Sequence, residues 1–165
     1  MKGYLFDTNA ISRWYSGNAS IRAKIDGLSD DVPLCVSMIT LGEMQFGDKI
    51  TTTTDQAKRD EFKKWFRDKF PVPFRLTITE HTTECYGDIR SQLFKQFPPC
   101  GKRENHPEMC FDKVTAKELG IDENDLWIAA QAIEHNLILV SNDRMNRIQT
   151  AAGRELYLED WENNP

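Results

Sequence analysis

The stretch that decides the fold is residues 124–143, NDLWIAAQAIEHNLILVSND. From Asn124 to Asn136 its apolar side chains recur at helical spacing, with Asp125 at the start, where the helix dipole favours an acid. Leu137-Ile138-Leu139-Val140 then forms an unbroken aliphatic run, the pattern of a strand covered on both faces. Ser141, Asn142 and Asp143 end it. A helix that feeds a doubly buried strand, closed by a polar turn, is half of the repeating unit of a parallel-sheet α/β protein.

The same alternation continues toward the N-terminus. Lys2 to Phe6 reads as a short apolar strand ending at Asp7, and Thr8 and Asn9 suit the start of a helix from about Ala10. A second helix is expected over Ser20–Leu28. Val32–Met38 (VPLCVSM) is a second strand, and Thr40 is placed to cap a helix carrying Leu41, Glu43, Met44 and Phe46. Residues 51–54 are all threonine, a loop or cap signal. Asp55–Phe70 shows Ala57, Phe62, Trp65, Phe66 and Phe70 at helical spacing, and Pro71 and Pro73 stop it. Phe74–Thr79 alternates as a third strand. His81–Phe97 carries Cys85, Ile89, Leu93 and Phe97 on one stripe. Pro98 to about Pro107 is turn-rich, a short helix follows Asp143, and Leu156–Leu158 makes a last strand. The expected architecture is α/β, with three α/β/α layers around a central parallel sheet. It forms one domain over 1–165 with an insertion around 97–120.

Composition sets bounds. A chain of 165 residues suits one domain. No apolar run approaches the roughly 20 residues a membrane helix needs, and the N-terminal residues lack a signal peptide's apolar stretch, so the expected location is the cytoplasm, away from membranes. Cys35, Cys85, Cys100 and Cys110 contain no CxxC and are expected as free thiols. Cys100, His106 and Cys110 supply three of the four ligands of a structural zinc site. Asp112 or Cys85 as a fourth fits no known spacing, so free thiols are the better reading. Net charge is −5, yet nucleic-acid affinity depends on where cations sit rather than on their sum. Lys58, Arg59, Lys63, Lys64, Arg67, Lys69 and Arg75 are opposed locally by only Asp60, Glu61 and Asp68, and read as a solvated helix face. Trp65, Trp127 and Phe46 read as core. Trp14 and Tyr15 are candidates for stacking on a base, with burial the better expectation. His81 and His135 read as surface or capping residues.

Four acids stand where open parallel sheets bind ligands, outside the carboxyl ends of the strands. Asp7 ends the first strand and Asp143 follows the LILV strand. Glu43 lies in the first turns of the helix after the second strand, and Asp125 opens the helix before LILV. Each alone fits a helix-capping or surface role. Gathered, they would repel one another unless a hard divalent cation neutralised them, and Mg²⁺ takes oxygen ligands of this kind.

These residues also resemble a known family. Leu5-Phe6-Asp7-Thr8-Asn9, Ile39–Gly47 (ITLGEMQFG), Asn124–Ala130 (NDLWIAA) and Leu139-Val140-Ser141-Asn142-Asp143 resemble, in order, the four motifs of PIN domains, especially the VapC toxins of bacterial toxin–antitoxin pairs. Leu156–Trp161 (LYLEDW) resembles the family's last strand. The resemblance implies a metal site of Asp7, Glu43, Asp125 and Asp143 holding Mg²⁺ or Mn²⁺. Thr8 and Asn9 would lie beside it, and Ser141 and Asn142 would help hold the cation or its waters. Arg90 takes a supporting place. The implied activity is hydrolysis of RNA phosphodiester bonds, with an antitoxin protein as partner and a homodimer as the common assembly. The alternatives are a catalytically silent PIN-fold binding module and a phosphotransfer or phosphatase enzyme. The second needs a further aspartate two residues after Asp7, where Asn9 stands.

Overall fold

The computed structural model describes residues 2–50, 56–98, 106–112, 114–115, 117–142 and 145–162. Five strands form one parallel sheet: β1 (Tyr4–Phe6), β2 (Leu34–Ser37), β3 (Arg75–Leu76), β6 (Ile138–Val140) and β7 (Tyr157–Glu159), in the order β3-β2-β1-β6-β7. The most apolar run and the first strand are therefore neighbours at the centre. Phe6 stands level with Val36 on one side and Val140 on the other. The chain enters β1 by a close approach: a Cβ on Gly3 would lie 2.4 Å from Cγ of Pro33.

Helices cover both faces. They are α1 (Thr8–Tyr15), α2 (Ala19–Asp26), α3 (Met38–Ile50), α4 (Gln56–Lys69), α5 (Glu80–Gln96), α6 (Glu123–Glu134) and α7 (Asn146–Ala152). Because side chains alternate along a strand, Leu5 and Cys35 point into one core, and Phe6 and Val36 into the other. The first core is aliphatic: Ile89 and Leu93 of α5 meet Leu126, Ala129 and Ala130 of α6, and α7 adds Ile148. The second is aromatic, with Phe6, Trp14, Phe66, Phe70 and Trp161 fully or nearly buried. Each such side chain removed from water contributes roughly 1.5–3 kcal/mol, so both layers are firmly seated on the sheet.

Several boundaries differ from the sequence expectation, for physical reasons. The third strand shrinks to Arg75–Leu76, because Pro71 and Pro73 lead into a 3-10 turn at Val72–Phe74 before pairing begins. Helix α3 starts at Met38, directly off β2, and the Ser37 hydroxyl accepts from the Ile39 amide at 3.0 Å. Thr40 thus sits inside the helix, fully buried, rather than at its cap. Helix α6 begins at Glu123, capped by Asp122, whose carboxylate accepts from the Asn124 amide at 2.8 Å. The stretch after Pro107 holds a short hairpin that its composition did not announce, β4 (Phe111–Asp112) against β5 (Lys117–Glu118). Cys110, Leu119 and Ile121 tie it into the aliphatic core. Residues 51–55, 99–105 and 143–144, with Asp143 and Cys100 among them, lie outside the described residues. The described cysteines Cys35, Cys85 and Cys110 are free thiols. No described helix is long and apolar enough to cross a membrane.

Candidate active site

The carboxyl ends of the central strands carry Asp7, Ser37 and Ser141, all nearly inaccessible to solvent. Asp7 continues β1, and its amide donates to the Val140 carbonyl at 3.2 Å. Its backbone is extended, and Oδ1 accepts from the Ala10 amide at 2.6 Å, capping α1. Such a cap contributes about 1 kcal/mol. Capping and site chemistry are thus compatible in one carboxylate.

Asp7 opens onto a cleft of about 490 Å³ lined by Thr8, Asn9, Glu43, Phe46, Asp122, Asn124, Asp125 and Ile128. Three of the four expected acids, Asp7, Glu43 and Asp125, therefore share one concave surface, together with the supporting residues Thr8 and Asn9. The fourth, Asp143, lies outside the described residues.

Glu43 is held from two sides. Its Oε2 accepts from the Thr8 hydroxyl, and its Oε1 accepts from the Asn124 side-chain amide at 2.8 Å. Two partners distant in sequence thus hold one carboxylate across the α1–α3–α6 junction. Hydrogen bonds from neutral donors to a charged acceptor contribute roughly 1.5–3 kcal/mol and fix its orientation. Asp122 and Asn124 are functional candidates that the sequence reading missed. The available signal was the run Asp122-Glu123-Asn124-Asp125, which supplies both a helix cap and two polar cleft residues.

Ser141 and Asn142 follow β6 at this same end of the sheet. They line a small crevice with Arg13, Asp160 and Glu162, and the Asn142 amide donates to Glu162 Oε2. Glu162 also pairs with Arg13 at 3.4 Å. Asn142 is thus engaged with the C-terminal segment.

Arg90 lies behind the start of α6. It donates to the Tyr86 hydroxyl and stands 3.5 Å from Glu123, while the Tyr86 ring stacks on Trp127 at 3.8 Å. Burial, and then the hydrogen bond to Glu123, push the Tyr86 hydroxyl up to about 12. Its part is to clasp α5 to α6, one residue from the cleft-lining Asn124. Beside this clasp, His106, Glu108 and Glu123 have one donor atom each within 4.8 Å of one another.

The donor set of the cleft fits a hard cation. Among the described residues, every polar side chain lining it offers oxygen, with the Asn amide nitrogens the only other polar side-chain atoms. Carboxylate-rich oxygen sites select Mg²⁺ or Mn²⁺ over softer metals.

The PIN domain family model matches residues 4–151. The chain belongs to the PIN-domain family. Solved structures share its fold. The chain is similar to one in the FitAcB crystal structure from Neisseria gonorrhoeae, at 22% identity and TM-score 0.70, over 97% of this chain and 99% of that one. It is similar to one in VapBC2 from Rickettsia felis bound to a promoter DNA fragment, at 22% identity and TM-score 0.68, over 96% and 98%. A chain of VapBC-1 from nontypeable Haemophilus influenzae matches at 24% identity and TM-score 0.66, over 96% and 97%. These likenesses establish the three-layer fold of this PIN domain. No curated protein sequence matches it.

Proposed function

We propose that this PIN domain is a divalent-metal-dependent endoribonuclease, the toxin member of a toxin–antitoxin pair, acting as one domain over 1–165 in the cytoplasm. The observation that carries the reading is the convergence of Asp7, Glu43 and Asp125 on one cleft at the carboxyl end of the sheet. Asp143, one residue beyond Asn142, is the proposed fourth acid. Together these carboxylates would hold Mg²⁺ or Mn²⁺. Bound there, the cation would polarise the phosphodiester and stabilise charge in the transition state.

The chain's own residues prepare that chemistry. Thr8 and Asn124 hold Glu43 in one orientation, so little reorganisation accompanies binding. The cap at Ala10 fixes Asp7. Hydrolysis joins water oxygen to phosphorus and breaks the P–O3′ bond, leaving a 5′-phosphate and a protonated 3′-oxygen. Ser141 and Asn142, which follow β6 at the same end of the sheet as Asp7, would help hold the cation or its waters, with the Asn142 amide steadied by Glu162. The antitoxin partner is supported by the solved VapBC and FitAcB relatives and by the apolar groove between α3 and α4. That groove is floored by Leu41, Met44 and Phe62 and rimmed by Arg59, Lys63 and Arg67. A homodimer accords with the exposed apolar residues Val72, Phe74 and Ile78.

The test is cleavage of a mixed RNA pool by purified protein with Mn²⁺ or Mg²⁺, set against Asp7→Asn. Cutting that needs both the metal and Asp7 is expected. Equal cutting by both chains, or none by either, would favour the silent binding module.

A further inference from the structure

Phe46 was expected in the core, and it is 65% exposed, more than any other large aromatic side chain among the described residues. The reason lies in the periodicity of α3. Leu41 and Met44 form one stripe, which packs toward the aromatic core. Glu43 and Phe46 form a second, three residues apart, which faces the cleft. Side chains at that spacing are neighbours, about 5–6 Å between Cβ atoms. An uncovered aromatic ring therefore stands beside the Glu43 carboxylate.

The cleft's charge sharpens the point. Asp7, Glu43, Asp122 and Asp125 line it, and no lysine or arginine does among the described residues. Among the described residues, then, a polyanion entering this cleft meets carboxylates and no cationic side chain. A bound cation and contacts that carry no charge would supply its affinity there. Stacking of a base on an aromatic face is such a contact and tolerates any base. Only a base already free of pairing and of its own neighbours can cover that ring.

We infer that Phe46 is a stacking platform for an unpaired nucleobase of single-stranded RNA, next to the phosphodiester held at Asp7, Glu43 and Asp125. This rests on the ribonuclease reading above. It makes Phe46 a specificity residue that selects single strands over duplex.

Binding is measured apart from turnover. A short single-stranded RNA carrying 2-aminopurine is titrated, in Mn²⁺, with Asp125→Asn protein bearing Phe, Tyr, Leu or Ala at position 46. Base fluorescence reports stacking. With Phe46 the fluorescence is quenched. Phe46→Ala loses the quench and binds roughly 5- to 150-fold more weakly, the equivalent of about 1–3 kcal/mol for one stacked base. Phe46→Tyr stays close to the parent, and Phe46→Leu falls with Ala. In the Asp125 background, cleavage of a single-stranded substrate follows the same order, while the same sequence as a duplex is cut poorly and without regard to residue 46. The proposal is overturned if Leu matches Phe, if duplex and single strand bind alike, or if all four variants behave the same. It is also overturned if Phe46→Ala changes the oligomeric mass by light scattering, or abolishes capture of a peptide rather than RNA. Either result makes the ring a protein contact. If the Asp125 chain cuts no RNA at all, the ribonuclease reading itself fails. If it cuts independently of residue 46, only the stacking platform does.

Discussion

Two glutamates of this chain are gripped by hydroxyl groups at opposite ends of α6, to opposite effect. Glu43 takes the Thr8 hydroxyl and the Asn124 amide by the helix's first turn. Glu134, the helix's last residue, takes the hydroxyls of Thr79 and Thr82 from the start of α5. The first faces a cleft with Asp7, Asp122 and Asp125. The second is sealed, its side chain only 9% exposed and His135 3.7 Å away. Burial pushes the Glu134 carboxyl up, but the Thr79 and Thr82 hydrogen bonds, with His135 and His81 nearby, together outweigh it and leave its pKa below the ordinary value of 4.5. A carboxylate held by threonine is thus a structural anchor or a site component according to its neighbours. Company in an open cleft makes the difference, and the local hydrogen bonds do not.

The largest test of that contrast is functional. Asp125→Asn should lower RNA cleavage about 10²–10³-fold, as loss of one preorganised charge does, with no loss of melting temperature in the metal-free protein, because carboxylate repulsion falls. Glu134→Gln should leave cleavage within about twofold, since it lies outside the electrostatics that act on the reacting phosphate. If Glu134→Gln lost as much activity as Asp125→Asn, the distinction would disappear.

Next is stability. Glu134→Gln should cost roughly 1.5–3 kcal/mol near neutrality, because a charged acceptor of two hydroxyls is lost. The folded pKa of Glu134 is lowered, so its stabilisation is complete above the unfolded value and fades as pH falls through the folded one. Urea midpoints of parent and variant should therefore converge in acid. A gap that widened there would show that the anchor is not ionic.

A smaller effect concerns the cation. Mn²⁺ at ten times its dissociation constant should stabilise the parent by about 1.4 kcal/mol. Glu134→Gln should keep that increment and Glu43→Gln should lose most of it, as read by thermal unfolding with and without the ion. The smallest is a hydroxyl deletion. Thr8→Val should cost under about 1 kcal/mol, because water in the open cleft can replace the lost donor. Thr82→Val, at a sealed site, should cost about 1–3 kcal/mol.

How much of this could be read beforehand depended on distance along the chain. The apolar runs at 2–6 and 137–140, each followed by an acid or polar turn, announce strands whose carboxyl ends share an edge. From that placement Asp7, Glu43 and Asp125 follow. What joins them is not local. Thr8 and Asn124 lie 35 and 81 residues from Glu43, and no periodicity links such pairs. Phe46 misled because its apolar character is the same on either stripe of α3, and only tertiary packing decides which stripe meets the aromatic core and which faces the cleft. The β4–β5 hairpin escaped because its strands have two residues each, too few to show alternation. The turn between them is organised by Asp112, which accepts from the Val114 and Thr115 amides.

The central position of β1 has one more consequence. Its backbone is paired on both edges, to β2 and to β6, along its whole length. Amide protons of Leu5 and Phe6 should therefore exchange with deuterium only when the entire domain opens. Asp7, which follows them, is carried on the slowest-exchanging part of the chain, so the acid at the heart of the cleft would be the last to lose its place on heating.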